Sequence, residues 1–460
     1  MLKRILIVSV SLLAFAVTAR AVAGDRADEG RRGRKWVASW TTAPSNVFKG
    51  VGTTQTAALV NFAFPAETGT QAINQTLRMI VKPDIWGGTM RVRLSNYFGT
   101  GPVTFGRVTI GLHSFSGATV SGTNRQVTFG GSPSVTIAPK QEAVSDAVQV
   151  DWARSDDDEH SSPLEGRNLA VSMYIPGSSG PMTFHGTALQ ESFLAAPNTG
   201  DHTRDDSDEA FPYETSSWFF VNAVDVLAPA DTRVLVGAGS SSVDGSITTP
   251  GNNDRFLNWM SRKLHEVYGQ HVSVVNEGIG GDTAAAPGPG QTRPLLEVLP
   301  ERFDRDVLGV SGVTDVLFYA GTNDFGDKIP SSQSIASLEA MVKKLHEYPR
   351  GRINAVGSTL ISNVGQAGTS DATYVAHNDI NEFILNHNPA HPSPFDSIAD
   401  FYNATRDPAN SDFHTTMIQT RYATHSDPTG TPDWLHLGRA GALAEADTLD
   451  LGFFAPRRGH

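Results

Sequence analysis

The sequence predicts an antiparallel β-sandwich followed by an α/β domain in which a parallel sheet carries helices on both faces. Three observations predict it. Residues 36–226 hold many short runs of alternating apolar and polar side chains, separated by Gly- and Pro-containing turns, with no long amphipathic stretch. After about Val226 short, continuously apolar runs alternate with segments of helical periodicity, the rhythm of βαβ units. The chain has 460 residues, which is room for two or three domains.

The N-terminus reads as a leader. Lys3 and Arg4 precede an apolar run from Ile5 to Val17, and Ala19-Arg20-Ala21 and Ala21-Val22-Ala23 follow it. A cationic start, an apolar middle and small residues at a cleavage point are the parts of a secretory signal peptide. The run falls short of the ~20 residues a spanning helix needs. The expected organisation is therefore a signal peptide at 1–23, a charged, glycine-rich and disordered lead-in at 24–35, a β-rich sandwich at 36–226 and the α/β domain at 227–460. The mature protein is expected to be secreted, extracellular or periplasmic, with no stable membrane insertion once the signal is removed.

Charge and cysteine content narrow the chemistry. Lys and Arg total 36 against 48 Asp and Glu, a net charge of −12, so no nucleic-acid partner is expected, since phosphate binding needs a cationic footprint. There is no cysteine, which excludes disulfides, thiolate metal sites and a cysteine nucleophile.

In the β-rich half, Leu77–Val81 and Met90–Leu94 alternate as half-buried strands do, and Val103–Leu112, Ser134–Ile137 and Leu169–Ile175 are similar. Two acidic runs, Asp156–His160 and Asp201–Glu209, lack the ligand spacing of a calcium loop and read as solvated loops. In the second half, Val234–Val236 is a buried strand that runs into Gly239-Ser240-Ser241-Ser242-Val243-Asp244-Gly245. Asp254–Tyr268 is helical, with Phe256, Leu257, Trp259, Met260, Leu264 and Val267 near one face and Gly269 as a cap. Strands are expected at Val272–Val275, Val313–Tyr319, Ile353–Leu360 and Phe395–Phe401. Helices are expected at Ile335–Tyr348 and Tyr374–Asn386, a patchy one at Leu295–Leu308 and a closing one at Gly438–Leu451.

The polar clusters at these strand ends supply the parts of an acyl-transfer site. A serine hydroxyl is a poor nucleophile until a neighbouring base takes its proton, and histidine titrates in the right range to do so. A carboxylate must then hold the imidazole in one tautomer, and Asp433-Trp434-Leu435-His436 offers both groups on one short turn. An oxyanion needs fixed donors: Gly281 gives a backbone open to close approach, and Asn323 gives a side-chain amide. Ser240, Ser241 and Ser242 are all possible nucleophiles on residue chemistry alone.

Together these blocks resemble the SGNH hydrolases, or GDSL esterases/lipases, in particular secreted bacterial members with a leading β-rich domain. The family's first block is similar to Gly239–Gly245 and its second to Gly280-Gly281-Asp282-Thr283. Gly321-Thr322-Asn323-Asp324 matches its third block and Asp433/His436 its fifth. The resemblance implies an SGNH-type parallel sheet and makes Ser241 the nucleophile, His436 its base and Asp433 the orienting carboxylate. It also implies an oxyanion hole made by Ser241 N–H, Gly281 N–H and the Asn323 amide. The activity it implies is carboxylic ester hydrolysis on a small-molecule, lipid or acylated-carbohydrate substrate, with no metal or organic cofactor. The chain departs from the family at Ser240, where an acidic residue is usual, and at Ser242-Val243, where Ile-Thr is usual.

Other readings give each residue a plainer role. Gly280-Gly281 is a turn, Asn323 or Asp433 a helix cap, and most of the 14 histidines structural. His185, His414 and His425 are read as loop or surface residues. A weakened or inactive hydrolase half beside a polysaccharide- or wall-binding β half is the competing function, and acyl transfer to a sugar hydroxyl is a third. An α/β-hydrolase is disfavoured because no Gly-x-Ser-x-Gly elbow surrounds these serines.

Overall fold

A computed structural model describes residues 33–46, 63–64, 71–153, 162–287, 297–425 and 432–456. The expected signal peptide, nearly all of the lead-in and the acidic run Asp156–His160 lie outside the described residues. Arg34 and Lys35, assigned to the lead-in, already belong to a strand, Arg34–Thr41.

The N-terminal half is antiparallel throughout its described pairings. One sheet centres on Val221–Pro229, which pairs with Arg34–Thr41 on one side and Thr89–Ser95 on the other. A second has Ile73–Val81 and Leu169–Ser178 at its middle. Alternation explains their shared core: Leu77, Met79, Val81, Val92 and Leu94 are all fully enclosed. The expected single strand Val103–Leu112 is two, Val103–Phe105 and Arg107–Leu112, each in a different sheet. The break is at Gly106, whose N–H bonds the Tyr174 carbonyl at 2.8 Å, and the Tyr174 ring closes over its α-carbon.

The acidic run Asp201–Glu209 is tied down by arginines. Arg78 is completely buried, stacks on Phe211 and donates to the carbonyls of His202 and Asp205, while Asp201 pairs with Arg107. The chain needs this loop to satisfy a guanidinium that the sandwich encloses.

The second half is the expected parallel sheet. Its strands are β1 (Arg233–Gly239), β2 (Val272–Gly278), β3 (Asp315–Tyr319), β4 (Asn354–Ser358) and β5 (Ser397–Ala399), in the order 2-1-3-4-5. The helices are α1 (Ser241–Asp244), α2 (Phe256–Tyr268), α3 (Leu299–Asp306), α4 (Ser331–His346), α5 (Asp371–Ile384), α6 (Phe401–Thr405) and α7 (Arg439–Ala446). They form two packed groups, α2 with α6 and α7, and α3 with α4 and α5, covering the two faces. Every residue of β1 is buried, as a central strand covered on both sides must be.

Helix ends follow local chemistry. The Asn258 side chain accepts the Arg255 N–H to start α2, and Gly269 at φ 57° ends it. Val267 belongs to the solvent face, 51% exposed, rather than to the apolar face expected. Helix α4 begins at Ser331, directly after Pro330, and not at the expected Ile335, because its first turn is polar and leaves no apolar periodicity to read.

The two halves are stitched together by polar contacts. Asp84 accepts the Val274 N–H and the Ser261 hydroxyl, both at 2.6 Å, Ser273 donates to the Ala38 carbonyl at 2.7 Å, and Ser311 donates to Asp225 at 2.7 Å. Among the described residues no helix is long and apolar enough to cross a membrane.

Candidate active site

In a sheet of order 2-1-3-4-5, the connections leaving β1 and β3 run toward opposite sides, and a crevice opens at the carboxyl ends of these two strands. The register places Gly239 level with Gly278 of β2 and Tyr319 of β3. The segments after these three levels carry Ser241, Gly281 and Asn323. The one-turn helix α1 starts on Ser241 and is closed by Asp244 N–H to Ser240 O at 2.9 Å and Gly245 N–H to Ser241 O at 2.8 Å. It lies hard against β2: a Cβ on Gly278 would fall 2.3 Å from the Asp244 nitrogen, so only glycine fits there.

Ser241 Oγ lies 2.8 Å from His436 Nε2, and His436 Nδ1 lies 2.7 Å from Asp433 Oδ2. Since a carboxylate only accepts, Nδ1 carries the hydrogen, and Nε2 is left to accept from the serine. Asp433 Oδ1 receives the backbone N–H groups of Leu435 (3.0 Å) and His436 (2.9 Å). Burial opposes ionisation of Asp433, but the His436 ring and these two N–H groups outweigh it and hold its carboxyl below the usual range. The expected short turn here is a strand, Pro432–Leu437, paired with Ala423–His425, with Trp434 at φ 54° letting the carboxylate curl back.

The other two predicted donors meet over the end of β1. Asn323, in a 3-10 turn, donates from Nδ2 to the Asp282 carbonyl at 2.8 Å. An amide nitrogen has two hydrogens, so one remains for a ligand. Gly281 adopts φ 82°, a left-handed conformation that favours glycine. Asp324 accepts Ala284 N–H (2.9 Å), Ala285 N–H (3.2 Å) and the Ser334 hydroxyl (2.6 Å), joining this loop to α4, and burial pushes it up to about 6. The structure thus brings Ser241, His436 and Asp433 into one hydrogen-bonded line and joins the Gly281 and Asn323 loops beside it.

Three supports were not anticipated. Arg302 of α3 is fully enclosed; its Nε and Nη2 hold Asp282 at 2.9 and 2.6 Å, and Nη2 also reaches Gly239 O at 3.2 Å. Arg255 donates to the carbonyls of Asp244 (2.5 Å) and Ala188 (2.6 Å). His185, read as a loop or surface residue, ends the strand Thr183–His185, is 5% exposed and contacts Asp244. No local pattern marks these residues, because each partner is remote in sequence. His414 is on the surface beside Asp371, as expected, and the side chain of His425 is outside the described residues.

Behind His436 a small pocket is lined by Ser242, Ser246, Thr248 and Glu445 of α7. Burial pushes Glu445 up to about 8, and the Tyr319 hydroxyl offsets only part of this. The folded protein therefore keeps this proton to higher pH than the unfolded chain, whose carboxyl ionises near 4.5. The stability that Glu445 contributes must fall as pH rises from about 4.5 to about 8 and level off above, a loss on the order of a few kcal/mol. Glu445→Gln should flatten that decline, which urea midpoints at pH 5 and pH 8 will read.

Comparison with known proteins places the second half of the chain beside one family. Residues 238–443 match the family described as "GDSL-like Lipase/Acylhydrolase family". Among solved structures, a carbohydrate acetylesterase from Sinorhizobium meliloti shares 12% identity over 47% of this chain and 95% of that one, with a TM-score of 0.33. A G-D-S-L family protein from Desulfitobacterium hafniense DCB-2 shares 16% identity over 47% of this chain and 100% of that one, again with a TM-score of 0.33. The curated proteins compared gave no match.

Proposed function

Because the chain belongs, through residues 238–443, to the GDSL-like lipase/acylhydrolase family, a family of hydrolases, we propose that it is a secreted serine esterase acting through an acyl-enzyme. The observation that carries this reading is the line Ser241 Oγ–His436–Asp433, at 2.8 and 2.7 Å. His436 Nε2 takes the hydroxyl proton as Ser241 Oγ bonds to the ester carbonyl carbon. The tetrahedral oxyanion is held by the N–H groups of Ser241 and Gly281 and by the Asn323 amide. Asp433 keeps the ring in its tautomer and stabilises the imidazolium. Collapse breaks the carbon–oxygen bond to the alcohol, which leaves with the proton from His436. Water, deprotonated in turn by His436, then attacks the acyl-enzyme and frees the carboxylic acid and Ser241.

The family departure at Ser240 leaves each of these groups in place, which favours an active esterase over a purely binding protein. The substrate class we propose is acylated carbohydrate, in keeping with the secreted bacterial members the chain resembles. A fluorophosphonate should label the protein recovered from culture medium at Ser241 alone, on a mature chain beginning near Gly24. The same preparation should release acetate from acetylated polysaccharides. Labelling at Ser240 or Ser242, or turnover unaffected by complete labelling, refutes the serine assignment; retention of the first 23 residues refutes secretion by cleavage.

A further inference from the structure

We infer that His185, contributed by the β-rich half, is a positioning residue of the hydrolytic site, acting through Asp244 on the nucleophile turn and the Gly280-Gly281 loop. This rests on the serine-esterase reading above.

The geometry is closed at both ring nitrogens. His185 Nδ1 lies 2.9 Å from the Ala43 carbonyl and Nε2 lies 3.0 Å from Asp244 Oδ1. Both partners are acceptors, so both nitrogens must carry hydrogen and the ring is an imidazolium paired with a carboxylate. It is held in place by its own sheet, where His185 pairs with Trp218, and by the Trp218 ring, whose centroid is 5.7 Å away. The pair is sealed from water, with side-chain exposures of 5% and 4%.

Asp244 is where this contact acquires consequences. It is the sole carboxylate of the turn Gly239–Gly245, since position 240 is a serine. Its backbone N–H closes the turn that carries Ser241, and its carbonyl takes the Arg255 guanidinium. Its second carboxylate oxygen accepts the Gly280 N–H at 3.1 Å. One side chain therefore sets the spacing between the nucleophile and the peptide next to Gly281. His185 occupies Oδ1 and so leaves Oδ2 for Gly280. Without that donor the buried carboxylate has an unfilled oxygen and is free to turn away from Gly280, shifting the Gly281 donor relative to Ser241. Misplacement by about 1 Å costs on the order of 100-fold in rate. Substrate binding in the ground state does not use this bond, so the loss should appear in kcat and not in KM.

The full-length chain, assayed with p-nitrophenyl acetate, tests this. His185→Phe keeps the ring and its packing but donates nothing, and is expected to lower kcat by about 10- to 100-fold with KM within about twofold. His185→Gln retains an amide donor for Asp244 and should restore kcat to within about fivefold of the parent. A folded His185→Phe protein with parental kcat overturns the inference, as does a glutamine variant no faster than the phenylalanine one. Should His185→Phe fail to fold, His185→Gln combined with Asp244→Asn decides. A double variant no slower than the slower single one supports the coupling, and additive losses refute it. A Ser241→Ala control separates the two claims. Turnover that survives in it refutes the serine reading, whereas an inert control beside a fully active His185→Phe protein refutes this inference alone.

Discussion

Ser241→Ala will slow hydrolysis of p-nitrophenyl acetate on the order of 10⁵- to 10⁶-fold, the usual cost of deleting the nucleophile from a serine–histidine–aspartate site. The reason for so large an effect is that the three groups act as a unit. The hydroxyl hydrogen-bonded to His436 Nε2 is that of Ser241, and without it an intact oxyanion pocket stabilises an intermediate that no longer forms. Adding His436→Ala to Ser241→Ala should therefore cost almost nothing more, and the double variant should match the single one. The fold should be unaffected, because among the described residues the Ser241 side chain bonds only the histidine, so thermal unfolding should stay within a few degrees of the parent. The experiment also decides among the three adjacent serines. Ser240 is 5% exposed at the end of β1, and Ser242 faces the pocket with Glu445. Undiminished turnover in Ser241→Ala would pass the role to one of them and would overturn the hydrogen-bonded line as the catalytic one.

The residues of that line were legible in the sequence for a local reason. Gly239–Gly245, Gly280–Thr283, Gly321–Asp324 and Asp433–His436 each hold their chemistry within a few residues, next to an apolar run that marks a strand. The parallel sheet was legible for the same cause: strands buried on both faces, such as Val234–Val236 and Val313–Tyr319, leave continuous apolar runs. Half-buried strands were harder. In Val103–Leu112 the only trace is a slip in the phase of alternation, from Val103 and Phe105 to Val108, Ile110 and Leu112, and it falls where the Tyr174 carbonyl and ring pack on Gly106 and divide the run between two sheets. What tertiary structure alone supplies is the bracing. His185 and Asp244 are 59 residues apart, and Arg302 and Gly239 are 63 apart. Neither separation has a periodic or compositional sign. A lone histidine in Phe184-His185-Gly186 looks like any other, and its burial is decided by Trp218, Ala43 and Asp244 from three separate segments.

Arg302→Met should produce the largest loss of stability among single changes near the site, about 3–5 kcal/mol, because it strands a buried charge. Asp282 is 2% exposed, and its Oδ1 is filled by the N–H groups of Thr283 and Leu299 at 2.8 and 2.7 Å. Its Oδ2 is held by Arg302 through both Nε and Nη2. Asp306 would keep Arg305, at 2.5 and 2.9 Å, so the damage is concentrated on Asp282. For a chain of this size each kcal/mol lost should lower Tm by about 2–4 °C, giving a drop near 10 °C in a calorimetric scan. Burial already raises the Asp282 carboxyl above its usual range even with Arg302 beside it. In the variant it should rise further and take up a proton more readily, so the deficit should shrink as pH is lowered toward 5. Asp282→Asn in the same chain removes the stranded charge and should recover part of the loss, whereas the two changes would simply add if Arg302 stabilised only by packing. A Tm within 2 °C of the parent would show that α3 does not anchor this loop. The loss should also reach the chemistry, since Arg302 grips Gly239 O two residues before Ser241 and fixes the residue whose carbonyl receives the Asn323 amide. In protein that remains folded at the assay temperature, kcat should fall before KM changes, because what is loosened is the alignment of nucleophile and oxyanion donors.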